Sequence, residues 1–266
     1  MRYAGNQHSF HFPNSRPRIP GSITAGDCLA GGGGITRALN SIPHVDVRWF
    51  LNHDEVAVKT NSFHHPNAKP YHANFFLQPE ADLEPVDLLC AGIECTQHSN
   101  ANGGRIKKIG SYMMGWELLR YIPRLKPLVI FIENVPQFKK WSPLLEDGTP
   151  DKTKIGEEFR KWKNAIMNLG YEYKESIRNA ADDGIPQRRV RYFAFFYRKG
   201  IDISFPLLSH TEKPEKGMKQ WESCGQHINL DYHGESIFGR QFNENLPKHK
   251  KPTMRRNIWE ISFNIN

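Results

Sequence analysis

The chain has 266 residues, 38% of them hydrophobic and 24% charged, which suits one large globular domain or one domain and part of another. A formal net charge of +8 with twelve histidines points toward a polyanionic partner, although solubility alone could account for it. Four cysteines without a C-x-x-C pair, no signal peptide and no long apolar run exclude a disulfide framework and a membrane span, and place the protein in the cytoplasm.

Residues 1–20 are polar and carry Pro13, Pro17 and Pro20, so they read as an irregular arm. From Ile23 the chain alternates. A strand over 23–29 leads through Asp27-Cys-Leu-Ala-Gly31-Gly-Gly-Gly34 into a short helix over 35–41. A second strand spans 45–51, and a helix over 54–63 begins with Asp54 and Glu55, which suit the helix dipole. Residues 86–90 form a short buried strand. A helix spans 111–125, with Met114, Leu118, Leu119 and Ile122 on one stripe. A buried strand over 128–132, a helix over 156–169 and strands over 171–177 and 190–197 complete the pattern, with an exposed loop over 143–154. Beyond Gly200 the periodicity dissolves into His-, Asn-, Gly- and Lys-rich sequence.

Continuous apolar strands alternating with helices predict an open, mostly parallel α/β sheet covered by helices on both faces. Ligands then bind outside the carboxyl ends of the strands. Three motifs fall there: the glycine turn, Glu94-Cys95 and Glu133-Asn134. Seen alone, the glycines are a tight turn, the cysteine is a small buried residue and the glutamate is a helix cap. Cys28 and Cys90 lie inside strands and belong to the core. A fourth motif, Gln187-Arg-Arg189-Val-Arg191, would place alternating cations on one strand face by its period of two. His64-His65 and the scattered cysteines lack metal-ligand spacing, so no metal is expected.

In this order the four motifs resemble the DNA cytosine-5 methyltransferase family, over roughly residues 23–258 and most closely in its phage-type members. The resemblance implies a Rossmann-like methyltransferase sheet that uses S-adenosylmethionine and acts on double-stranded DNA. Its cofactor turn, Asp-x-Phe-x-Gly-x-Gly in the family, maps onto Asp27, Leu29, Ala30, Gly31, Gly33 and Gly34, with Leu29 in the aromatic place. The family's acidic residue after the second strand aligns with His53, beside Asp54, and Asn74 replaces the carboxylate near the adenine.

Cytosine C5 is too weak a nucleophile to accept a methyl group unaided. A thiolate added at C6 turns the ring into an enamine, while an acid at N3 drains electrons from it. The resemblance gives these roles to Cys95 and Glu133, with Glu94-Cys95-Thr96 where the family usually has Pro-Cys. Arg189 and Arg191 would then hold the flipped base or adjacent phosphates. Gly103-Gly104-Arg105 and Lys107-Lys108 correspond to a segment that closes on DNA, and equally fit a solvated basic loop.

The expected layout is an arm over 1–20, a catalytic domain over 21–200 and the incomplete start of a target-recognition region over 201–266. The family's later Gly-Asn-Ser-Val-like segment is not found before Asn266. A truncated enzyme, with a second polypeptide supplying the remainder, is therefore one expectation. A non-catalytic nucleic-acid-binding remnant and an RNA cytosine-5 methyltransferase are the rivals.

Overall fold

A computed structural model describes residues 16–93, 109–213 and 217–228, with the backbone alone at 109–111. The elements follow the apolar periodicity closely: β1 (Ile23–Cys28), α1 (Gly34–Asn40), β2 (Val45–Asn52), α2 (Glu55–His64), β3 (Lys69–His72), β4 (Leu88–Gly92) and α3 (Ile109–Leu125). They continue with β5 (Val129–Asn134), α4 (Glu157–Asn168), β6 (Tyr171–Asn179) and β7 (Val190–Arg198).

These strands make one seven-stranded sheet of order β3-β2-β1-β4-β5-β7-β6. The pairs β1–β2, β2–β3, β1–β4 and β4–β5 are parallel, whereas β7 runs antiparallel to β5. The chain builds outward from β1 to β3, then crosses back to begin β4 on the other side of β1. The order therefore reverses between β1 and β4, and a crevice opens at the carboxyl ends of these two strands.

Side-chain alternation divides the core into two layers. One holds Trp49, Leu51, Leu89, Ala91, Ile130 and Ile132 against Leu118 and Ile122 of α3 and Trp162 and Ile166 of α4. The other holds Ala25, Val47, Phe50 and Cys90 against Leu39 of α1 and Val58 of α2. Both faces of the sheet are thus covered, as the apolar strands predict. Cys28 and Cys90 are buried in these layers, and burial pushes both thiols up, away from reactivity. Gly26 makes room for a large neighbour: a Cβ there would lie 2.3 Å from Cζ2 of Trp49.

Two expectations need correction, and two features are added to the reading. β3 was not foreseen, because Lys69-Pro-Tyr-His is a polar edge strand with no apolar signature. Glu133 and Asn134 are the last two residues of β5 rather than the turn after it. β7, the last strand of this sheet, lies between β5 and β6 and runs antiparallel to β5, so the sheet is mostly rather than wholly parallel. It also begins at Val190, so Gln187 and Arg189 precede it and do not share a strand face with Arg191.

The described residues fall into two compact units, one within Met1–Arg178 and Val190–Pro206, the other within Asn179–Arg189 and Leu207–Asn266. The second contains a two-residue parallel pair, β8 (His210–Thr211) with β9 (Lys219–Gln220). There the Trp221 indole donates to Asp182 at 2.9 Å, and the Arg188 guanidinium lies 4.7 Å over its ring. The arm over 1–15 and the basic C-terminal stretch from 229 lie outside the described residues. Among the described residues no helix is long and apolar enough to cross a membrane, and no His, Cys, Asp or Glu cluster could hold a metal ion.

Candidate active site

The glycine turn leaves β1 at the switch point. Leu29 has φ of +60°, an uncommon conformation for a bulky residue, and Gly31 and Gly33 follow with φ of +53° and +101°. Ala30 N–H donates to Leu51 O at 3.0 Å and Gly33 N–H to Ala30 O at 3.1 Å, so the turn is pinned to the end of β2 and then to itself. Its two sides differ. A Cβ at Gly31 or Gly34 would meet nothing within 4 Å, whereas one at Gly33 would lie 2.5 Å from Oδ1 of Asn61. The open side suits a ligand lying directly against the backbone, as the methionine end of S-adenosylmethionine would. Leu29 and Ala30 point the other way, into the core.

Beneath the turn, Asp27 is fully buried. Its Oδ2 accepts from the Thr36 hydroxyl at 2.7 Å, and Thr36 in turn accepts from Asn61 Nδ2 at 3.1 Å. Burial pushes the Asp27 carboxyl up to about 7, against the opposing hydrogen bonds from Thr36. Asp27 is therefore shielded from any ligand on the open side. Thr36 and Asn61 were not legible in the sequence, since the contact joins residues that are 25 positions apart.

Two more strand ends border the crevice. β2 ends at Asn52, whose Oδ1 accepts from Asp54 N–H at 2.8 Å. Asp54 caps α2 by accepting from Ala57 N–H at 2.7 Å, which explains an acidic residue there on helix grounds alone. His53 is exposed between them, and its carbonyl accepts from His72 Nε2 at 3.1 Å. After β3, Asn74 closes a turn by accepting from Phe76 N–H at 3.0 Å. Arg120 of α3 grips that turn through the carbonyls of Phe75, Phe76 and Gln78, and the Tyr121 hydroxyl joins it at Phe75 O and Gln78 O.

Across the switch point stands Glu133. It pairs in register with Gly92 on one side and Phe193 on the other. Its Oε1 lies 3.0 Å from Arg191 Nε, a diagonal contact across the β5–β7 ladder, and both side chains are about one-quarter exposed. A Cβ at Gly92 would lie 3.8 Å from Glu133 Oε2, so the absence of a side chain there leaves the carboxylate accessible along the β4 edge. Asn134 is buried, with Oδ1 accepting from Val135 N–H. Arg189 is exposed in the second unit, where its N–H donates to Asn179 Oδ1 at 2.9 Å. Cys95 and the basic stretch Arg105 to Lys108 lie outside the described residues.

The site thus brings the Gly31–Gly34 turn, His53, Asp54, Asn74 and the Glu133–Arg191 pair to the edge of one sheet where its parallel strands end. Comparison with known proteins bears on the family and the fold. The model of the C-5 cytosine-specific DNA methylase family matches residues 23–263. The type II methyltransferase M.HhaI of Haemophilus parahaemolyticus is 24% identical over 233 residues, covering 84% of this chain and 64% of that protein. M.HpaII of Haemophilus parainfluenzae is 28% identical over 212 residues, covering 74% and 52%. The chain spans less than two thirds of the length of either. In fold it is similar to the Entamoeba histolytica methyltransferase EhMeth, with a TM-score of 0.56 at 20% identity, covering 80% of this chain and 61% of that one. The Schizosaccharomyces pombe Dnmt2 methyltransferase gives 0.52 at 21%, covering 68% and 53%. With nearly its whole length matched, the chain belongs to the C-5 cytosine-specific DNA methylase family.

Proposed function

We propose that the protein transfers a methyl group from S-adenosylmethionine to C5 of cytosine in duplex DNA. The observation that carries the reading is the Glu133–Arg191 pair, 3.0 Å apart, with Glu133 in register with Gly92. In the sequence, Cys95 follows Gly92 by three residues. A cysteine and a carboxylic acid are the two groups that attack at C6 and protonation at N3 require. Arg191 orients the Glu133 carboxyl toward the base, and its remaining guanidinium nitrogens are donors for a pyrimidine carbonyl. The open side of the Gly31–Gly34 turn, with His53, Asp54 and Asn74, would hold S-adenosylmethionine, which would supply the methyl group. Leu29 and Ala30 shape that turn from the core side.

Residues 21–200 form the catalytic domain in this reading, and 201–266 begin the region that reads the target. Arg189 holds the flipped base or an adjacent phosphate. The partner is double-stranded DNA in the cytoplasm, and the relatives provide no support for a second polypeptide. The reading is tested with duplex DNA containing 5-fluorocytosine and S-adenosylmethionine. Fluorine at C5 cannot leave as a proton does, so Cys95 should remain bonded to C6 as a denaturation-resistant adduct, and Cys95→Ser should give none. A wild-type protein that methylates DNA without forming the adduct, or a serine variant that still forms it, would overturn the assignment.

A further inference from the structure

We propose that Thr36 and Asn61 are positioning residues for the methyl donor, holding the Gly31–Gly34 turn from below and joining it to α2. The inference rests on the cofactor reading above, but its evidence is separate. The buried chain runs Asn61 Nδ2 to Thr36 Oγ1 at 3.1 Å and Thr36 Oγ1 to Asp27 Oδ2 at 2.7 Å. All three residues are fully buried, so none can contact a ligand on the open side of the turn.

The direction of each bond is fixed. Oδ2 of Asp27 accepts the Thr36 hydroxyl proton, so the hydroxyl oxygen must accept from the Asn61 amide nitrogen. That leaves Asn61 Oδ1 facing Gly33, where an added Cβ would lie 2.5 Å away. Asn61 Oδ1 and Asp27 Oδ1 are both buried without a hydrogen-bond partner among the described residues. Buried polar groups left without a protein partner carry a desolvation cost.

The mechanical consequence is specific. Gly33 ends the turn and begins α1, with its carbonyl accepting from Arg37 N–H at 2.8 Å. Asn61 stands on α2, whose N-terminal cap is Asp54, adjacent to His53. The helices that follow β1 and β2, α1 and α2, are therefore joined by one buried amide directly behind the Gly31–Gly34 turn. Asp27 joins the same brace to β1, so ionisation of its carboxyl strengthens the acceptor at the far end of the chain.

The test measures S-adenosylmethionine binding to the full chain by calorimetry between pH 5.5 and 8.5, alongside thermal stability. Wild-type affinity should strengthen as pH rises through the Asp27 titration, because the carboxylate holds Thr36 more firmly than the acid does. Thr36→Val keeps the shape and removes the hydroxyl. It should weaken binding about tenfold at pH 8 and move the midpoint of the pH profile upward, since a hydrogen bond that favours the carboxylate is lost. Thr36→Ser should restore both the affinity and the profile. Asn61→Leu should weaken binding to a similar degree, and combining it with Thr36→Val should add little, as expected for one connected chain. Variants that lose thermal stability yet bind with wild-type affinity and an unshifted pH profile would overturn the positioning role while leaving the cofactor reading intact. A wild-type chain that does not bind S-adenosylmethionine would overturn both.

Discussion

Replacing Asp27 by Asn tests the buried carboxyl directly. Its pKa is raised from 3.8 to about 7, and each tenfold change in proton affinity corresponds to about 1.4 kcal/mol. Below the unfolded pKa the group is protonated in both states and costs nothing as a charge. As pH rises, the unfolded chain releases the proton first, so stability is lost progressively until the folded group also ionises near pH 7. The full loss between about pH 4 and pH 8 amounts to about 4 kcal/mol. In Asp27→Asn the Thr36 hydroxyl can still donate to the amide oxygen, while the amide nitrogen replaces an oxygen that has no partner among the described residues. That exchange costs about 1–3 kcal/mol, but the cost is the same at every pH. The variant should therefore be less stable than wild type at pH 4 and more stable at pH 8. Urea unfolding followed by tryptophan fluorescence at several pH values gives the difference in free energy between the two proteins. Groups common to both cancel in that difference, which should rise by about 4 kcal/mol, mostly below pH 7. A difference that stays constant within about 1 kcal/mol from pH 4 to pH 8 would refute the assignment of a neutral, buried Asp27.

Gly33→Ala should destabilise the protein by about 1–3 kcal/mol, because a Cβ would meet Asn61 Oδ1 at a φ of +101°, whereas Gly34→Ala should be well tolerated; thermal melts of the two would show it. Arg191→Ala should lower methyl transfer at least about a hundredfold while duplex affinity, measured by fluorescence anisotropy, stays within a few fold. Equal losses in binding and transfer would argue for a phosphate contact instead. Replacing Lys107 and Lys108 together by Ala should flatten the dependence of log affinity on log salt by up to about two units, and an unchanged slope would remove both from the DNA surface.

Much of the catalytic sheet was legible because its strands are buried on two faces. Such strands cannot disguise themselves: β4 and the first four residues of β5 read as unbroken apolar runs, and the positions after them must carry the polar chemistry. β3 was illegible for the opposite reason, as an edge strand whose side chains, apart from Tyr71 against Trp49, are exposed. The reversal of β7 was equally hidden, since an antiparallel strand wedged between two others has the same apolar pattern as a parallel one. Sequence spacing also overextended the strand, placing Arg189 on a face it does not occupy. Within the site, Glu133 was found through its neighbours in sequence, whereas its Arg191 partner contact depends on a ladder between segments almost sixty residues apart. The brace of Thr36 and Asn61 left no trace, because a threonine and an asparagine on amphipathic helices look like ordinary surface positions.

The register of β4 against β5 has a consequence for grafting. Glu133 is fixed opposite Gly92 and Phe193 by backbone pairing on both of its sides. A segment transplanted from a relative between Ile93 and α3, even one of different length, would leave the acid where it stands. This is consistent with the departure at Glu94, where the family more often carries proline. Chimeras that exchange this stretch alone therefore offer a route to altered loop behaviour on an unaltered acid–arginine frame.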